Sequence, residues 1–209
     1  MVIDKPEDQG EGPPPQGRAD RPVRADAQRS LDALLQAAKA VFATSGVDAP
    51  VREIADKAGV GLGTLYRHFP QRSDLVAAVF RREIDACADE GPALAAEHPP
   101  VETLARWLQR YADFIATKRG LAAALHSGNP AFAALPAYFD ARLRPALRTL
   151  LAAAVQAGEV RADAEPNDLL SAVAGLSAPA HDGQTHHTRR MIALLVDGLR
   201  YGAGSAGAS

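Results

Sequence analysis

Apolar residues recur every three to four positions along most of the chain. Leu31, Leu34, Leu35, Ala38, Val41 and Phe42 share one face of a helix, and Gly46 offers it a C-terminal stop. A short apolar-faced segment follows over 51–58, carrying Ile54 and Ala55 and ended by Gly59. Residues 62–69 form a second short helix that Pro70 terminates. Ser73 and Asp74 restart a long helix with Leu75, Val76, Val79, Phe80, Ile84 and Cys87 as its buried stripe. Gly91-Pro92 and Pro99-Pro100 are expected to bracket a loop. Beyond Pro100 the periodicity predicts five more helices, over 101–117, 119–127, 131–157, 166–180 and 185–202. Pro136 and Pro145 are expected to break or kink the third of these. No strand-like alternation persists and no repeat occurs, so the fold class is all-α.

Composition agrees with the pattern. Hydrophobic residues make up 47% of the 209 and aromatics only 5%, a balance that favours helix over sheet. Residues 1–25 stand apart, with Pro6, Pro13, Pro14, Pro15 and Pro22 and almost no large apolar side chains. Such a segment buries too little surface to offset its ordering entropy and is expected to be a disordered tail. The single cysteine, Cys87, excludes a disulfide framework or a cysteine-based zinc site within one chain and reads as a small hydrophobe. No apolar run nears the roughly 20 residues that span a bilayer, and the first six residues hold no signal-peptide core. A cytoplasmic protein without membrane contact is expected.

The net charge of −2 hides three zones. Residues 1–17 carry −3, residues 18–72 carry +3 (nine basic against six acidic), and the remainder carries −2. Arg18, Arg21, Arg24 and Arg29 open the positive zone. They read either as a phosphate-touching arm or as a solvated linker.

The positive zone contains the most informative window, residues 51–69. Ile54, Ala55 and Ala58 place apolar groups on one face, and Ala55 is small enough for the next helix to cross closely. Gly59 can take a positive φ and turn the chain, while Val60 and Leu65 plug the angle between the helices. This is helix-turn-helix logic. The second helix, about seven residues long, is too short to be a good core element. It directs Leu62, Gly63, Thr64, Tyr66, Arg67 and His68 outward: small groups first, then donors, as close approach to a major groove requires.

The run Ala58-Gly59-Val60-Gly61-Leu62-Gly63-Thr64-Leu65-Tyr66-Arg67-His68-Phe69, followed by Arg72 and Leu75, resembles the DNA-binding domain of TetR-family transcriptional regulators. The match reaches back through Ile54-Ala55 to Ala37-Ala38, Phe42 and Gly46, covering roughly 27–80. The resemblance implies a tail over 1–25, a three-helix DNA-binding domain over 26–72, and a helical ligand-binding and dimerisation domain over 73–203. It implies DNA contact by Arg52, Gly61, Leu62, Gly63, Thr64, Tyr66, His68 and Arg72, with Thr64, Tyr66 and His68 on phosphates. Arg67 reads as either a solvated charge or a base reader. Two departures stand out: Ala49-Pro50 replace the usual phosphate-gripping hydroxyl, and Gly61 stands where serine is common.

The resemblance also implies a small-molecule effector. Trp107, Tyr111 and Phe114 lie on nearly one helical face, and with His126, Phe132 and Phe139 they are the expected pocket; Tyr138 is a further candidate. Each taken alone reads first as core. The last two helices, about 166–180 and 185–202, carry more apolar surface than one chain needs at its end, which points to a homodimer through a four-helix interface. His181, Asp182, His186 and His187 could in principle ligate a metal but read as a solvated loop, so no metal or cofactor is expected. The function read from these features is a regulator, expected to repress, released from a palindromic operator by its effector. The alternatives are an activator of the same fold or a helical enzyme, and the chain has no nucleophile, metal or phosphate-loop motif to support the latter.

Overall fold

The computed structural model describes residues 20–119, 127–177 and 184–201, and these are helical with no strand among them. The helices are α1 (Asp20–Ser45), α2 (Val51–Ala58), α3 (Leu62–His68), α4 (Arg72–Glu97), α5 (Pro100–Arg119), α6 (Leu135–Gln156), α7 (Pro166–Leu176) and α8 (Gln184–Arg200). A 3-10 turn, Pro130–Phe132, precedes α6.

The expected core of the first helix is the observed one: Leu34, Leu35, Ala38, Val41 and Phe42 are buried. The helix itself begins at Asp20, inside the segment read as tail. Pro22 does not prevent this, because in a first turn its missing N–H has no partner to lose. Residues 1–19 lie outside the described residues, as does most of the helix expected over 119–127.

The loop expected at Gly91-Pro92 is instead continuous helix, since α4 runs through both residues to Glu97. Pro92 leaves the Ala88 carbonyl without its usual donor. One residue earlier, the Trp107 indole Nε1–H donates to the Cys87 carbonyl at 2.8 Å, which joins α5 to α4 beside the interrupted turn without replacing the donor that Ala88 lacks. The break expected at Pro136 and Pro145 is also absent. Pro136 sits in the first turn of α6, and Pro145 lies within the helix without ending it. The 166–180 helix stops at Leu176.

Two groups of helices result. α1 carries α2 and α3 on one side and packs on α4 with the other. α4 then packs most extensively against α6 and α5, and α7 and α8 close over α5. The loop after α6 ties this body together: Glu159 Oε2 accepts from the Val101 N–H at the start of α5, 2.7 Å, and the Arg161 N–H donates to the Leu199 carbonyl at the end of α8, 2.9 Å.

Candidate nucleic-acid interface

α2 and α3 are held at a fixed angle by their own turn chemistry. Gly59 adopts φ 68°, the left-handed conformation expected of it. Its N–H donates to the Asp56 carbonyl, and the Val60 N–H donates to the Ala55 carbonyl at 3.0 Å, closing the end of α2 as a helix-ending glycine does. Leu65 is buried and Val60 half-buried, as the plug between helices requires. Pro50 is the N-cap of α2 and makes no side-chain cap bond. Instead the Ser45 hydroxyl donates to Glu53 Oε1, 3.3 Å, closing the α1–α2 connection from outside.

The outward face of α3 is a stripe. Gly63, Tyr66 and Arg67 are exposed at i, i+3 and i+4, and Tyr66 is 50% exposed. Nothing lies within 4 Å of a Cβ placed at Gly61 or Gly63, so these glycines leave the helix start open. Thr64 and His68 flank the stripe and are half-buried. Arg52 is exposed on α2, and so is Lys57, a cation the sequence reading passed over. Its position in the last turn of α2, two residues before the turn glycine, was the available signal.

Two expected contacts sit differently. Leu62 is half-buried and packs against the core, so it anchors the start of α3 more than it projects. Arg72, the first residue of α4, donates through NH1 to the Val47 carbonyl in the loop between α1 and α2. α4 starts from a different cap than Ser73: Gln71 is the N-cap, and its N–H donates to the Asp74 carboxylate at 3.0 Å in a capping box.

Four of the six expected effector residues, Trp107, Tyr111, Phe114 and Phe139, form one aromatic cluster. Trp107 and Tyr111 stack at 5.9 Å, Tyr111 and Phe114 at 6.2 Å, and Phe139 lies 6.1 Å from both Tyr111 and Phe114. Phe80 of α4 joins at 5.4 Å from Phe114. Phe132 is buried near the base of α4. Burial pushes the Tyr111 phenol well above its ordinary range and the Cys87 thiol up to about 12, so both stay neutral. Tyr138 is not among these ring contacts: its hydroxyl donates to the Asp85 carboxylate at 2.8 Å, under the Arg81 guanidinium. His126 lies outside the described residues, as do His181 and Asp182; His186 and His187 are exposed on α8 rather than in a loop. No metal-holding group of three or more His, Cys, Asp or Glu occurs among the described residues. None of the described helices is long and apolar enough to cross a membrane.

On the far side of the body, Leu194 is 60% exposed and Tyr201 85%. A Cβ at Gly175 of α7 or Gly198 of α8 would meet nothing within 4 Å. A shallow groove of about 420 Å³ runs beside them, between the loop after α6 and α8.

Comparisons with known proteins match both groups of helices. Residues 34–79 match the family described as bacterial regulatory proteins, tetR family. Residues 99–201 match the C-terminal domain of SbtR-like transcriptional regulators. A TetR transcriptional regulator from Streptomyces coelicolor is 38% identical, with 81% of this chain and 97% of that chain covered at a TM-score of 0.71. A TetR transcription regulatory protein from Mycobacterium vanbaalenii is 34% identical, covering 86% and 99% at a TM-score of 0.70. An HTH-type transcriptional regulator of Staphylococcus aureus is 38% identical over 64 residues; the match spans 30% of this chain and only 35% of that relative.

Proposed function

The chain belongs to the TetR family of DNA-binding transcriptional regulators, and from that premise we propose that it is a homodimeric repressor released from its operator by a small molecule. A regulator acting on operator DNA works in the cytoplasm. The observation that carries the reading is the exposed Gly63, Tyr66 and Arg67 stripe on a helix too short to serve the core. Placed in a major groove, the open glycine end allows close approach, while Thr64, Tyr66 and His68 donate to phosphates and Arg67 reaches base edges. Arg52 and Lys57 extend the positive rim. Arg72 keeps further donors beyond the one used on Val47 and stands beside the same surface.

Dimerisation would set two such helices one turn of DNA apart. What supports it is the apolar exposure of Leu194 and Tyr201 next to the open glycines Gly175 and Gly198, which permit close helix approach. The effector would be a largely apolar molecule entering beside Trp107, Tyr111, Phe114, Phe132 and Phe139. It releases DNA only if it binds the detached state better, by about 1–3 kcal/mol.

The test is binding to duplexes selected from a randomised library, followed by anisotropy across a salt series. Affinity should fall steeply with salt. Replacing Tyr66 with Phe and His68 with Ala together should weaken it about 30-fold, two hydrogen bonds at roughly 1 kcal/mol each. An unaffected double variant overturns the assignment of α3 as the reading helix.

A further inference from the structure

Glu83 is the one charged residue that is buried among the described residues, at 5% exposure. It sits on the apolar stripe of α4, between Phe80 and Cys87. A carboxylate there has lost most of its hydration and depends on its partners. They come from two directions. Lys39 of α1 places Nζ 2.7 Å from Glu83 Oε2. Arg110 of α5 places NH2 3.8 Å from the same oxygen. On its other side Arg110 is held by Glu90 of α4, with Nε 2.8 Å from Oε2. A second α1–α4 pair, Asp32 with Arg82 at 2.7 Å, lies more exposed. Arg82 and Glu83 are consecutive on α4, yet their partners are two turns apart on α1, so the pairs straddle the crossing of the two helices.

The two cations belong to different parts of the molecule. Lys39 is on the helix that carries α2 and α3. Arg110 is on α5, next to Tyr111 of the aromatic cluster. One carboxylate oxygen therefore joins the helix beneath the DNA-reading element to the helix beside the proposed effector site.

We propose that Glu83 is a positioning residue that fixes the pose of α1–α3 on the body, and that Arg110–Glu83–Lys39 is the route by which a displacement of α5 reaches α3. This rests on the DNA-binding reading above. When α5 moves, the Arg110 guanidinium leaves Glu83 with Lys39 alone in an apolar setting. The carboxylate then follows Lys39 toward solvent, and α1 turns with it. Glu90 guides Arg110 without touching α1, so its loss disturbs the route least.

The experiment uses the full chain and the duplex selected by the wild-type protein. Arg110→Met and Glu83→Gln should each weaken operator affinity roughly tenfold, within the usual range of intersite coupling, and the double variant should be no weaker than the worse single one. Arg110→Lys and Glu90→Gln should stay within about twofold of wild type. Amide hydrogen exchange of 34–42 should quicken in Arg110→Met while α6 is unchanged. If Glu83→Gln does not fold, Lys39→Met, whose side chain is 43% exposed, takes its place. Affinities within twofold of wild type, factors that multiply in the double variant, or unchanged exchange in 34–42 overturn the proposal. A wild-type chain that selects no duplex instead defeats the DNA-binding reading, and the exchange measurement still decides whether Arg110 governs α1.

Discussion

The Trp107 indole reaches across from α5 to donate to the carbonyl of Cys87 on α4, at 2.8 Å. Both residues have no exposed surface. The bond lies in the turn where Pro92 removes a helical donor. It satisfies the buried indole N–H and fixes the register of the two helices flanking the aromatic cluster. Trp107→Phe keeps a ring but loses the donor. It should destabilise the chain by about 2 kcal/mol, through one lost buried hydrogen bond and lost ring volume. Urea unfolding followed by circular dichroism would read this; a loss under half that figure would mean the indole bond contributes little to the α4–α5 contact.

Gly91 offers an opposite case. It is buried inside α4, and a Cβ there would lie 3.5 Å from Leu150 Cδ1 and 3.6 Å from Trp107 Cδ1, ordinary contact distances. Its φ is not positive. Gly91→Ala should thus stabilise the chain by about 0.5–1 kcal/mol, the helical cost of glycine relative to alanine. A lower urea midpoint in the variant would show that the α4–α6 contact has no room to spare.

Alkaline pH should weaken the fold in a defined window. An unfolded cysteine ionises near 9, whereas buried Cys87 keeps its proton up to about 12. Unfolding releases a proton between those limits. Stability is intact below about pH 9 and declines as pH rises toward 12, by at most about 1.4 kcal/mol per pH unit. Tyr111, also raised by burial, adds in the same direction above about pH 10. Cys87→Ala should delay the decline to the tyrosine range. Urea midpoints measured from neutral pH upward check this, and identical curves for the two proteins would remove Cys87 from the account.

Leu194→Asp probes the proposed dimer face. Leu194 is 60% exposed in the single chain, so a monomer should lose no more than about 0.5 kcal/mol. In a dimer the substitution buries a charge. Light scattering should show the particle mass halved at micromolar concentration. A variant that keeps its mass places the interface elsewhere.

The helical face patterns were legible because burial writes itself into periodicity. Leu34 to Phe42, Leu75 to Cys87 and the α2–α3 turn all follow from spacing plus one glycine. Boundaries at prolines were not. Pro22 read as tail, Pro92 as loop and Pro145 as a break or kink, yet Pro22 sits in a first turn and the other two lie inside uninterrupted helices. What keeps such helices whole is packing from residues distant in sequence, as α5 and α6 pack on α4. Glu83 was passed over for a related reason. Its spacing put it on the apolar stripe, but its meaning depends on Lys39 and Arg110, which only the packing brings together.

The bond from Arg72 to the Val47 carbonyl has a topological consequence. The chain enters the α2–α3 unit at Val47 and leaves it at Arg72, within one side chain's reach. A segment whose ends meet has less freedom to swing than one joined at a single end. The α2–α3 unit is thereby a loop closed at its neck, so its pose on α1 is set by both ends at once as well as by the core it shares with α1.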